Sequence, residues 1–498
     1  MTATSSLFLT QLRRSLLFSG LDRYAGLAIG LASTALIARL LSPDEIGVFA
    51  VASAIVVVTN SLREFGTVTY IVQERDLVPD GVRTTVTLVI ASSLLTALAL
   101  AFAAAPLARL YAEPRLEPVI HISSVGLVAG SLAGPTLGLM QREMDFRSVA
   151  IINFASTVIN LVASLFFIAL GFGYLSLPLA AFASAATISV LALSMRRQFW
   201  MYKPCLRQWR KVLSFGGYSS ATAFLNASFE MLPQLLLGRF AGFNAVGLYS
   251  RAAVLAQMPN RAIVGAFQPV ILPAFAAKAR AGEELKTAYL HGLCLLSCVQ
   301  WPAFLCLALL AGPVVRLLLG EQWDAAAPVL RMLALASLVM APAPLTYPVL
   351  VASGHIRDTL TSSVISLPIS ACIVTAAALH GAGTVAASML IILPLQVGVA
   401  MALIRRRLDL SWNEIAASVR RSAAVTLLTA SVPATCLAVG GPWADLQSSL
   451  LFLAVVGSML AWLAGLCLTA HPLLAELRIA AEGFHRLVQL NTTRSPSG

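Results

Sequence analysis

Apolar residues in this chain fall in long unbroken runs separated by short polar clusters. The runs lie at roughly 17–40, 45–72, 84–108, 117–140, 148–170 and 174–195, then at 213–238, 245–277, 285–311, 326–352, 358–380, 383–404, 421–440 and 447–470. Each reaches about 20 residues or more, the length a helix needs to cross a hydrocarbon core about 30 Å thick; barrel strands would alternate over about ten residues instead. The pattern predicts an all-α polytopic membrane protein with about 14 transmembrane helices. The expected segments are an N-terminal lobe at 1–195, a basic linker at 196–212, a C-terminal lobe at 213–404, two further helices within 405–472 and an amphipathic tail at 473–498.

One stretch occurs twice. RLLSPDEIGVFAVA, Arg39 to Ala52, is echoed by RFAGFNAVGLYSRA, Arg239 to Ala252, with Gly47 answering Gly247, Phe49 answering Tyr249 and Asp44 answering Asn244. Each copy sits where one apolar run ends and the next begins, so two pseudo-symmetric six-helix halves each open with a helix, a turn and a helix. Ser42, Pro43 and Glu45 have the form of a capping box, which starts the second helix sharply. In the second copy Gly242 supplies the bend and Asn244 offers a weaker cap. Arg39 and Arg239 close the preceding helices, as anchors that snorkel to headgroups or as gate residues.

Composition narrows the class. Of 498 residues 58% are apolar and only 11% charged, with a mean hydropathy of +0.84; soluble domains hold about 45–50% and about 25%. The net charge of +12 does not point to nucleic acid. With the N-terminus inside, most of the 34 Lys and Arg fall in cytoplasmic segments, and only Arg109, Arg115, Arg239 and Arg316 fall outside. Both termini are then cytoplasmic, and the first helix, which lacks a cleavage site after a short apolar core, is retained. The seven cysteines are scattered; Cys294 and Cys298 share a helix face and read as packing. The tail places Leu474, Leu477, Phe484 and Val488 along one stripe, as in a helix lying on the inner leaflet.

Charges deep in the runs cost at least about 2.5–3.5 kcal/mol unless they meet water or a partner. They are Asp22 and Arg23 in the first helix, Arg63 and Glu64 in the second, Glu230 in the seventh, and Arg251 and Arg261 in the eighth, with Arg331 weaker. Asp22 with Arg23 and Arg63 with Glu64 are open to a reading as internal pairs. Arg251 and Arg261 against the single Glu230 still leave the interior positive, which suits a phosphate or carboxylate. Asn60 shares a face with Arg63 and Glu64. The eighth run also holds Pro259, Pro269 and Pro273, and the tenth holds Pro342, Pro344 and Pro348; both are candidates for interrupted or hinged spans.

The stretches ARLLSPDEIGVFA, LGLMQREMDFRSVAIIN and LGRFAGFNAVGLYSRAAVLAQMPNRAIVGAFQPVILPAFA, in that order, resemble the polysaccharide-repeat-unit flippases of the MOP superfamily, the Wzx-like branch. The resemblance implies a MATE-like fold of two six-helix lobes plus two C-terminal helices, in a bacterial inner membrane, that moves an undecaprenyl-diphosphate-linked oligosaccharide to the outer leaflet by alternating access. It implies Arg23, Arg63, Arg251 and Arg261 as diphosphate ligands. Asp22, Glu64 and Glu230 become charge partners or coupling groups for Na+ or H+, and Arg39, Ser42, Arg239 and Asn244 fall at an outer gate. It implies no enzyme activity and no cofactor; its partners are the lipid-linked oligosaccharide, membrane lipids, a polysaccharide polymerase and glycosyltransferases. A MATE-like cation or drug antiporter shares the architecture but calls for an acidic cavity. A membrane polymerase or ligase calls for a large outer loop with paired acids or histidines, whereas the longest here, about 312–325, holds Arg316, Glu321 and Asp324.

Overall fold

The computed structural model describes residues 23–63, 70–72, 74, 76–355, 357–440 and 448–478. Among them every regular element is helical. The long helices are α1 (23–40), α2 (Pro43–Arg63), α3 (Pro79–Leu110), α4 (Leu116–Ser131), α5 (Gly134–Arg142), α6 (Phe146–Ala169), α7 (Ser176–Met195), α8 (Trp209–Phe240) and α9 (Phe243–Arg280). They continue as α10 (Leu285–Leu309), α11 (Ala311–Leu318), α12 (Ala326–Ser337), α13 (Ala343–Ala352), α14 (Arg357–Ala378), α15 (Ala382–Leu408), α16 (Trp412–Gly440) and α17 (Ser448–Leu468). Among the described residues eleven stretches are long and apolar enough to cross a membrane. The remaining three apolar runs are α1, α8 and α9, which are helical too and carry Arg23, Glu230, Arg251 and Arg261.

The prolines depart from expectation in the eighth run and meet it in the tenth. The eighth run is one continuous helix, α9, through Pro259, Pro269 and Pro273. Isolated prolines each remove a single amide donor, and the rest of the ladder holds. The tenth run breaks where Pro342 and Pro344 stand two apart, giving α12, a short 3-10 turn at Leu338–Met340 and α13. The fourth run also divides, at Leu132–Ala133 just before Gly134 and Pro135, into α4 and α5. At the other end of the chain α16 begins at Trp412, nine residues before the expected 421. A second capping box starts it: Ser411 N–H donates to Glu414 Oε2 at 2.8 Å and Glu414 N–H to Ser411 Oγ at 3.2 Å.

Contacts divide the chain into two compact units. The first comprises 1–251, 318–323 and 374–385; the second comprises 252–317, 324–373 and 386–498. In the first unit the basic linker is seated firmly. Arg83 donates to the carbonyls of Lys203 and Pro204, Asp80 pairs with Arg83 and Arg207, and Lys211 pairs with Glu74 at 3.2 Å. The Tyr202 hydroxyl donates to the Leu132 carbonyl at 2.7 Å, and Met201 is buried against Ile71, Val82 and Leu139.

The core of the second unit gathers Tyr289, Leu345, Val349, Met401 and Ile404. Its C-terminal end is pinned by a buried polar node: His471 Nε2 lies 3.3 Å from Cys294 Sγ and 3.1 Å from Ser422 Oγ, while its Nδ1 accepts the Leu473 amide at 3.1 Å. Cys294 therefore does more than fill space. The helical tail is described as far as residue 478, with Leu474 half-buried and Leu477 exposed; Phe484 and Val488 lie outside the described residues. Large apolar side chains such as Leu95, Phe102, Val439 and Phe452 point away from the protein. In lipid such surface adds little to helix association, so close packing at small residues must supply it.

Candidate functional site

The two copies of the repeated turn meet inside the first unit. A β-carbon on Gly47 would lie 1.8 Å from the carbonyl oxygen of Phe243, and one on Gly247 would lie 1.8 Å from that of Pro43. The start of α2 thus rests on the backbone of α9, and the start of α9 rests on α2. Only a residue without a β-carbon allows either approach. The contact is reciprocal, as a two-fold relation between the copies requires.

Side chains from other segments close around this crossing in the same reciprocal manner. Tyr111, just after α3, donates its hydroxyl to the Leu235 carbonyl in the last turns of α8 at 3.2 Å. Trp323 donates its indole N–H to the Ala38 carbonyl near the end of α1 at 2.7 Å, and Gln322 Nε2 reaches the same oxygen at 2.6 Å. The Ala38 carbonyl lies in the last turn of α1, where carbonyls lack an intrahelical partner, whereas the bond to Leu235 is made one turn earlier, inside α8. Burial pushes the Tyr111 phenol above its usual range, so it stays a donor.

The two turns are nonetheless built differently. Ser42 caps α2 as expected: its N–H and hydroxyl both reach Glu45 Oε2 at 2.9 Å, and the Glu45 amide returns to Ser42 Oγ at 3.3 Å. Asp44 adds an ion pair with Arg115 at 2.7 Å. Arg115 also grips Glu113 at 2.8 Å and lies 5.9 Å from the Tyr174 ring centre. The hydrogen bond from Arg115 holds the Glu113 carboxyl below its usual range, and Glu113 in turn raises the guanidinium. In the second turn α9 already begins at Phe243, so Asn244 lies inside the first turn and is exposed. It is not the cap. Gly242, at φ +84°, makes the bend.

The remaining candidates divide clearly. Arg251 is half-buried on α9, and its Nε is enclosed without a hydrogen-bond acceptor among the described residues. Arg261, ten residues on, is exposed and donates to Gln257 one turn earlier at 2.8 Å. Arg23 is exposed on α1. Arg63 ends α2, with its side chain outside what is described, and Asp22 and Glu64 lie outside the described residues. Glu230 is exposed on α8 and has no ion-pair partner among the described residues. Arg239 is exposed, 5.9 Å from the Phe240 ring centre, and Arg39 is exposed beside Gly320. Arg331 is exposed and donates to the Ala308 carbonyl at 3.3 Å. No group of three or more His, Cys, Asp and Glu is placed to hold a metal among the described residues.

Sequence reading missed Tyr111, Gln322 and Trp323. The available signal was an aromatic residue in a loop between helices of each half.

The fold is similar to that of an inward-closed lipid II flippase MurJ, with a TM-score of 0.73 over 92% of this chain and 99% of that one, at 12% identity. An inward-facing multidrug resistance MATE transporter of the MOP superfamily matches with a TM-score of 0.57 over 79% and 94%, at 17% identity. Residues 36–328 match the family described as polysaccharide biosynthesis protein, and the chain belongs to that family. The succinoglycan biosynthesis transport protein ExoT of Rhizobium meliloti (strain 1021) is 27% identical over 347 residues, 69% of either chain. The lipopolysaccharide biosynthesis protein WzxC of Escherichia coli (strain K12) is 23% identical over 319 residues, 63% of this chain and 64% of that relative.

Proposed function

We propose that the chain is a flippase that carries undecaprenyl-diphosphate-linked oligosaccharide repeat units from the inner to the outer leaflet of a bacterial inner membrane, for assembly into an extracellular polysaccharide. The observation that carries this reading is Arg251: a guanidinium nitrogen enclosed in a long helix, with no acceptor of its own among the described residues. An enclosed, unpaired donor of this kind is costly, and a diphosphate oxygen would offset the cost. The family and the flippase fold supply the cargo class.

In this mechanism the diphosphate enters from the cytoplasmic leaflet, where Arg23, Arg63, Arg251 and Arg261 replace its hydration. The prenyl chain stays in lipid. The crossing of α2 and α9 at Gly47 and Gly247 is the outer closure, which must part to release the sugar outward. Glu230, an acid without an ion-pair partner among the described residues, is assigned to the coupling cation, Na+ or H+. Both termini face the cytoplasm.

The test is deletion of the gene followed by leaflet-specific labelling of lipid-linked oligosaccharide. Accumulation on the inner leaflet, relieved by the wild-type chain and not by Arg251→Gln, is the expected result. Normal export from the deletion strain would refute the reading.

A further inference from the structure

We propose that the cavity lined by α2, α4 and α7 is a sugar subsite, which seats a pyranose ring of the cargo. The inference deepens the flippase reading and rests on it. The cavity has a volume of about 390 Å³ and lies wholly within the first unit. That is within the range of about 300–1,000 Å³ usual for small-molecule sites.

Its lining selects a chemistry. Phe49 and Phe182 supply aromatic surface, Ser53 and Ser123 supply hydroxyls, and Asn60 supplies an amide. No charged side chain is among these lining residues. A phosphate here would lack a cation, and an acyl chain would leave the Ser53 and Ser123 hydroxyls facing hydrocarbon. A pyranose has what this wall matches: apolar C–H faces that stack on phenyl rings, and hydroxyl edges that both donate and accept.

The two serines carry a second observation. Hydroxyls on these helices ordinarily return to a carbonyl three or four residues back, as Thr59 does to Ile55 at 2.7 Å, Ser61 to Val58 at 2.6 Å and Ser124 to His121 at 2.7 Å. Among the described residues Ser53 and Ser123 have no such bond, and both line the cavity. Their hydroxyls are left for a ligand.

Position completes the case. Phe49, Ser53 and Asn60 follow one face of α2, and by helical register Arg63 comes next on that face, about 4.5 Å further along the axis than Asn60. A sugar in the cavity and a diphosphate at Arg63 would be consecutive along α2. That is the covalent order of a glycosyl diphosphate.

The experiment uses the full chain in lipid nanodiscs. The probe is the polyprenyl-linked oligosaccharide pool extracted from cells lacking the gene, offered intact and after enzymatic removal of its sugars. Wild type should bind the intact pool at least tenfold more tightly than the stripped one. Phe182→Ala and Asn60→Ala should bring that ratio close to one, while binding of the stripped pool stays as in wild type. Equal binding of both pools by wild type would overturn the subsite and leave the flippase reading standing. So would variants that weaken both pools alike. If wild type binds neither pool, the flippase reading fails and the subsite fails with it.

Discussion

The turn at Ser42 and the turn at Gly242 do the same job with different chemistry. The first uses a capping box, and its Asp44 reaches Arg115; the second has a glycine at φ +84° and an exposed asparagine. What the two share is the glycine one helical turn later, each pressed against the other helix's backbone. Capping can therefore be exchanged between copies, whereas the crossing cannot. The constraint the repeat preserves is steric.

Substitution at the crossing should have the largest effect. Gly47→Val or Gly247→Val drives a side chain into a carbonyl 1.8 Å from where its β-carbon would stand, a clash beyond the usual overpacking cost of about 1–3 kcal/mol. Export should be lost in either variant, with equal severity if the two-fold relation holds; intact export by one of them, measured as surface polysaccharide, would break the equivalence. Next comes Arg251→Gln, expected to lower export about 10- to 100-fold through loss of a charge-assisted contact, with Arg251→Lys retaining part of it. Equal export by the Gln variant and wild type would remove Arg251 from the pathway.

The caps should differ from each other. Ser42→Ala should cost about 0.5–2 kcal/mol in thermal unfolding, and Asn244→Ala less than about 0.5 kcal/mol. A larger loss for Asn244→Ala would show that the second turn relies on its side chain after all. The smallest effect is electrostatic and confined to the first turn. Because Arg115 depresses the Glu113 pKa, the contribution of this pair is fully present above the ordinary glutamate value of 4.5 and is lost as pH falls through the depressed one. Arg115→Gln should therefore narrow its stability gap to wild type below about pH 4, as read from melting midpoints in detergent. A gap that does not change with pH would contradict the assignment.

Much of the fold could be read from hydropathy because the membrane imposes helices of fixed length on apolar runs. The capping box at Ser42 was equally legible, since all its partners lie within four residues. What sequence could not give were contacts set by tertiary register. Trp323 on the Ala38 carbonyl joins positions far apart in the chain, and nothing local marks either one. The prolines misled for a related reason: the number of prolines in a run says less than their spacing, and α9 tolerates three where the pair at 342 and 344 breaks the tenth run. Among the arginines, sequence depth gave α9 its candidates, but only the packing separated Arg251, enclosed and lacking an acceptor at Nε, from Arg261, which bonds to Gln257.

The composition of the first unit has a consequence for how the protein is made. That unit gathers residues 318–323 and 374–385 along with everything up to Arg251. Because a ribosome delivers the chain from its N-terminus, the earliest helices must wait in the bilayer until residue 385 has emerged before their unit is complete. The first 251 residues expressed by themselves would therefore lack two pieces of their own unit.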